Sequence, residues 1–329
     1  MTPVKWVYSF LEKYRYKMAA GLLMVTGIAL LTIVNPYISG RIVDDVITGG
    51  NYKLLPVLIG CLLGVVALKG ILRYASQVMF EICSQGVLYS MRDAVYRKLL
   101  QEDFSFYNKN RTGDLMSRQT GDMDAIRHFI AYIIYSVYEN ILLLSFALIM
   151  IFTVNVKLAL AMLVVLPFTA LTTYGQSKSV RPAFMKIRQQ FSSLNTFVQE
   201  NISGNRVVKA FAREDFEIEK FNKENDAYRD AELNAAAIWK KYVPIFEFLS
   251  NILTVVLMLY GGYMVIQGEI TMGNLVTVNG YLWMLTVPLR MAGWWINDIH
   301  RFTTSAEKIY TTYSQEPEIQ EPQQPIVRK

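Results

Sequence analysis

Cysteine and histidine are nearly missing from this chain, with two of each in 329 residues. Cys61 and Cys83 are too few for a disulfide framework, and both fall on one apolar stretch, which predicts packed thiols. His128 and His300 have no neighbouring cluster of ligating side chains, so no metal site is predicted. No Gly-Lys dipeptide occurs. That excludes the GxxxxGK(S/T) loop, whose backbone amides and lysine cradle nucleotide phosphates. Charge is also scarce, at 18% of residues against 53% apolar. A cleavable signal peptide is not evident either. The first apolar run, Met18–Ser39, is too long for one and lacks a small-residue cleavage pattern, so it reads as a retained span.

Long apolar runs take the place of all these features. They cover about Met18–Ser39, Leu54–Ala75, Phe129–Phe152, Leu158–Tyr174, Val243–Gln267 and Leu275–Ile296. Each is close to the ~20 residues a helix needs to cross ~30 Å of hydrocarbon. An all-α membrane protein with six spans is the expected fold. The net charge of +6 is distributed by loop. Lys5, Lys13, Arg15 and Lys17 precede the first run, seven basic residues lie between the second and third, and twelve lie between Lys178 and Lys241. The other side has only Arg41, Lys53 and Lys157, beside Asp44, Asp45 and Glu269. Basic loops stay on the cytoplasmic side, so both termini are expected inside a plasma-membrane protein. The positive charge thus reads as topology and anionic-lipid contact, with nucleic acid excluded as the partner.

Val4–Tyr14 mixes aromatics with lysine and reads as an interfacial elbow helix ahead of the first span. Pro36 predicts a kink near the far end of that span. From Leu54 to about Phe104 the helical pattern continues well past the membrane, for ~75 Å at 1.5 Å per residue. Phe216–Lys241 is charged but periodic, as in a helix with one packed face. Paired long helices joined at their tips are therefore expected outside the bilayer. Residues 314–329, rich in Pro, Gln and Glu, read as a linker, leaving 1–15 as the elbow and 16–313 as the membrane domain.

Each tip carries a helix break. At the first, Asn110-Arg111-Thr112-Gly113 interrupts the chain; Thr112 is placed to cap a short helix, and Thr120 or Asp122 the return helix. At the second, Gly204 interrupts it, and Val207, Val208 and Phe211 form a small apolar face. Either tip alone is an ordinary capped turn; the two together favour docking.

FYNKNRTGDLMSRQTGDMDAIR and ENISGNRVVKAFAREDFEIEKF resemble the two coupling-helix regions of ATP-binding-cassette exporters of the six-span half-transporter type. GEITMGNL, from Gly268 to Leu275, resembles that family's outer turn between spans five and six, and Ser305–Tyr310 its segment leaving span six. The similarity runs in order from Lys5 to Pro317. It implies a domain-swapped dimer with a second half-transporter, in which spans four and five cross to the opposite protomer. Its coupling helices would be Arg111, Thr112, Gly113, Asp114, Leu115, Met116 and Ser117, and Val207, Val208, Lys209, Ala210, Phe211, Ala212 and Arg213. Nucleotide-binding domains with ATP and Mg2+ are implied as partners. The phosphate loop and the Ser-Gly-Gly signature of those domains do not occur here, so this stretch carries no ATPase site, no catalytic residue and no cofactor of its own. Truncation at the linker is expected rather than a separate ATPase subunit.

Ionisable side chains at membrane depth mark function by default. Lys69 and Arg73 are expected to snorkel to the interface, while Glu139, near the middle of span three, points to an aqueous cavity. Glu247 and Arg290 are candidates for a pair that breaks or forms with the transport cycle. Met284, Met291 and Trp294 are candidates to line a path for flat apolar substrates, Trp294 and Trp295 being equally readable as interfacial anchors. The implied activity is ATP-driven export of a hydrophobic or amphipathic substrate: a drug, lipid or peptide. An ATP-independent channel or receptor would need a polar-lined pore or an external ligand domain, and a regulatory scaffold would show no change in cavity access.

Overall fold

A computed structural model describes residues 2–317 and is helical throughout its regular elements. Helices are the natural outcome for such apolar runs, because in lipid each backbone N–H and C=O must be satisfied within the segment. Among the described residues, five helical stretches are long and apolar enough to cross a membrane: Pro3–Thr48, Tyr52–Gln101, Thr112–Val154, Val156–Ser203 and Glu214–Ile266. The sixth expected span lies within a 43-residue helix, Met272–Ser314. Asn279, Pro288 and Arg290 dilute its apolar stretch and weaken its hydropathy signal.

The chain divides into two compact units, one of residues up to Val156 with those from Met264 onward, the other Lys157–Tyr263. In the first, α1 (Pro3–Leu11) starts at Thr2, whose hydroxyl accepts from the Lys5 amide, with Pro3 preset for the first turn. Trp6 and Val7 face inward while Val4 and Tyr8 remain exposed, as expected of an elbow on an interface. The chain continues into α2 (Arg15–Arg41) and ends in a wider π-helical segment, Ile42–Thr48. Pro36 lies inside α2, and the change of winding comes only after Arg41.

Next, α3 (Leu55–Gln101) runs unbroken for 47 residues, about 70 Å, which bears out the long helix read from the sequence. Three short helices follow at the tip: α4 (Phe104–Lys109), α5 (Thr112–Ser117) and α6 (Met123–His128). Then α7 (Ile134–Val154) forms the third span. Met91, Val95, Met123, Ile126, Ile130, Phe302, Ala306 and Ile309 belong to one buried cluster with Trp6 and Phe80.

The second unit is a helical hairpin. α8 (Val156–Leu163) leads into α9 (Val165–Ser203), α10 (Asn205–Ala210) caps the tip, and α11 (Glu214–Val256) returns. Ser179 shares a hydrogen bond with Tyr242 at 3.2 Å, and Phe191 meets Tyr228 with ring centres 5.6 Å apart. Beyond a π turn, α12 (Gly262–Ile266) and the Gly268 turn lead to α13 (Met272–Ser314). Gly268 has φ +74°, a conformation glycine adopts without strain.

α13 and α2 are fastened at their loop end. Asp44 accepts from the Gly273 amide at 2.7 Å and the Thr271 hydroxyl at 2.6 Å, so one carboxylate caps the start of α13. Tyr281 donates to the Ile33 carbonyl at 3.0 Å and Thr277 to that of Pro36 at 3.2 Å. The backbones approach so closely that a side chain at Gly273 would overlap the Gly40 carbonyl and the Asp44 carboxylate. Of the expected linker, residues 318–329 lie outside the described residues.

Candidate functional site

Two features of the molecule are candidates for function: a polar cavity at membrane depth and the two hairpin tips. The cavity occupies about 380 Å³ among α2, α3, α7 and α13. Thr32, Lys69, Arg73, Gln77, Ser136, Glu139, Asn140 and Trp283 contribute to its wall. Glu139 is 8% exposed, and both its oxygens accept from the Arg73 guanidinium, Nη1 at 2.6 Å and Nη2 closing the fork. Such a bidentate pair satisfies both charges where water is scarce. Arg73 therefore turns inward to Glu139 instead of snorkelling to the interface, which corrects the expectation from sequence. Spacing along one helix does not reveal a partner on another.

The other candidate cavity residues are not among those lining this cavity. Met284 is 1% exposed, packed into the first unit, and Arg290, Met291 and Trp294 lie on an exposed face of α13. Glu247 is exposed on α11 in the other unit. Trp283, one of the aromatics of span six but outside the candidate set, lines the cavity. Cys83 is buried as expected, whereas Cys61 is exposed. No group of three or more His, Cys, Asp or Glu side chains among the described residues is placed to hold a metal ion.

At the first tip, Asp103 caps α4 by accepting from the Phe106 amide at 3.0 Å. Thr112 is the first residue of α5, and Arg111 before it holds the cap position without a side-chain cap bond, contrary to the expectation. Leu115 is buried and pins α5, so its neighbour Met116 points outward at 60% exposure. Neither Thr120 nor Asp122 caps the return helix. Thr120 donates to the Met116 carbonyl, while Asp122 accepts from Ser305 at 2.8 Å and lies 3.9 Å from the Lys308 ammonium. Arg118 also bonds Thr312.

At the second tip, α9 ends at Ser203 and Gly204 makes the turn, as read from the sequence. The short helix covers Asn205–Ala210, so Phe211, Ala212 and Arg213 form its terminal turn rather than its last helical residues. Ala212 has φ +47°, the left-handed region. Val207 and Phe211 are exposed, and Val207 helps to line an open groove of about 660 Å³ with Phe197, Glu200, Val208 and Lys220. Lys209 pairs with Glu214 at 2.9 Å and holds that carboxyl below its ordinary range, helped by the backbone amide.

Similarity to known proteins agrees with this architecture. The chain is 36% identical over 310 residues to the uncharacterized ABC transporter ATP-binding protein YknU of Bacillus subtilis (strain 168), covering 93% of this chain and 52% of that protein. It is 26% identical over 305 residues to an ATP-dependent lipid A-core flippase of Syntrophus aciditrophicus (strain SB), covering 93% and 50%. Against the multidrug resistance-like ATP-binding protein MdlA of Escherichia coli (strain K12) the identity is 26% over 318 residues, covering 96% and 53%. The chain thus spans about half the length of these curated relatives. With the model of the ABC transporter transmembrane region matching residues 18–289, this multi-pass helical membrane chain belongs to that family.

Proposed function

We propose that this chain is the substrate-translocating part of an ATP-driven exporter that works as a dimer by alternating access. The carrying observation is the pair of tips. Helices of 47 and 39 residues, far longer than a bilayer crossing, each lead to a short helix with exposed apolar side chains. Met116 on α5 and Val207 with Phe211 at α10 are the natural contacts for nucleotide-binding domains. ATP with Mg2+ would bind in those domains and supply the closing force there. The chain's own residues transmit it: Arg111–Ser117 and Val207–Arg213 act as coupling helices, and the long hairpins carry the motion to the spans.

The dense basic residues on the tip side support a cytoplasmic side for the tips and both termini of a plasma-membrane protein. Spans four and five form a unit of their own, as suits an arm that crosses to the partner protomer. The substrate is hydrophobic or amphipathic, in keeping with a lipid A-core flippase and a multidrug resistance-like protein among the relatives.

The test uses the complete transporter with its nucleotide domains, spin-labelled at Ser203 of each protomer. Bound ATP should shorten the distance between labels, and substrate should change the rate of hydrolysis. Phe211→Ala should preserve membrane insertion yet weaken that response. Label distances indifferent to nucleotide would support a scaffold instead, and nucleotide-independent conduction a channel.

A further inference from the structure

We propose that the cavity of Lys69, Arg73 and Glu139 receives the anionic head group of an amphiphile, with Lys69 as its charge partner. This names a substrate class for the cavity and rests on the exporter reading.

Charge balance is the first ground. Arg73 and Glu139 neutralise each other in their fork. Lys69 also lines the cavity, and among the described residues it has no hydrogen bond or ion pair. An ammonium at this depth is costly without a partner, so the wall as built has one positive charge to spare. A cationic guest would meet Lys69 as a like charge; a phosphate, carboxylate or sulfonate would satisfy it.

Depth is the second ground. Lys69 lies roughly 21 Å along α3 from Leu55, and Glu139 roughly 22 Å along α7 from Val154, at 1.5 Å per residue. Both therefore sit about two-thirds of the way across ~30 Å of hydrocarbon, near the tip-side interface. The cavity thus lies inside the hydrocarbon but nearer its tip-side face, within reach of a head group drawn in from that face while its tail remains in the bilayer.

The third ground is the surroundings. Tyr132 and Trp283 line the cavity at 47% and 46% exposure, offering aromatic faces beside the charge. Three residues before Lys69 on the same face of α3, Val66 is exposed, apolar surface suited to a tail. A free inorganic anion would use the charge and leave the rest unused.

The test is equilibrium binding to the complete transporter in phosphatidylcholine nanodiscs, with radiolabelled dodecyl phosphate and dodecyltrimethylammonium compared. Dodecyl phosphate should bind roughly tenfold or more tightly, the scale of one charge-assisted hydrogen bond. Lys69→Ala should erase that preference and Lys69→Arg keep it. Glu139→Gln, which frees Arg73, should enhance it, and this second variant carries the test if Lys69→Ala does not fold. Equal binding of the two amphiphiles to the unaltered protein, or a preference that survives Lys69→Ala, overturns the inference. Displacement by inorganic phosphate at concentrations similar to dodecyl phosphate overturns the amphiphile as the source. Nucleotide-driven tip closure, read on the same samples, separates the two failures. Closure without charge preference removes this inference alone, whereas no closure removes the exporter reading beneath it.

Discussion

The two hairpin tips have similar outlines and different means of support. The first is tied to residues far along the chain: Asp122 to Ser305 and Lys308, and Arg118 to Thr312, all on α13. Arg92 on α3 adds a bond to the Gln119 carbonyl at 3.2 Å. The second is held by its own neighbours. The Arg213 amide donates to Val208, that of Phe211 to Val207, and Lys209 reaches Glu214. A tip anchored through a distant helix moves with that helix, whereas a locally closed tip moves with its own hairpin. The first is thus suited to report on the end of α13 where it leaves the membrane, and the second to follow α9 and α11.

Asp122→Ala should give the largest effect, because it removes an acceptor 15% exposed that serves both Ser305 and Lys308. A loss of about 1.5–3 kcal/mol is expected for hydrogen bonds to a charged group. It should appear as faster hydrogen exchange over residues 118–128, with the second tip unchanged. Protection that persists there would mean the first tip is also locally held, and the contrast would fail.

Ala212→Gly should sharpen the comparison from the other side. The left-handed conformation costs a residue with a Cβ about 1 kcal/mol, partly offset by the greater freedom of glycine when unfolded. Slower exchange over residues 205–213 is expected, with no change at the first tip.

The smallest effect is that of pH on Glu214. Its carboxyl is held below the ordinary range chiefly by Lys209, so its contribution is present above the unfolded-state pKa and lost as pH falls through the folded one. Exchange at the second tip should quicken on acidification below the usual carboxylate range and also in high salt, since the pair is exposed. Lys209→Gln should abolish the salt response and weaken the pH response, leaving the part owed to the backbone amide. A pH dependence unaltered by that change would assign the effect to another group.

Much of this was legible in the chain itself. The apolar runs gave the helices, Gly204 gave the second break, and the helical pattern continuing from Leu54 to about Phe104 gave the length of α3. Cap positions were read less well. Thr112 has the chemistry of a cap, but the helix begins on it and the cap position falls to Arg111; Asp122 reads as a local cap although its side-chain partners lie on α13. Within the cavity, Glu139 stood out by its depth, while Arg73 and Trp283 could not be attached to it without knowing which helices meet.

The sequence by itself determined that the chain is helical and membrane-spanning, where its helices break, and which family it resembles. These follow from hydropathy, backbone self-satisfaction and local chain geometry, all of which act over a few residues. Only the tertiary structure decided that Arg73 closes on Glu139 and leaves Lys69 without a partner, that Asp44 caps α13, and that the two tips differ in anchorage. Those outcomes depend on helix rotation and register, which bring together side chains far apart in the chain, and the helical period within a single segment does not encode them.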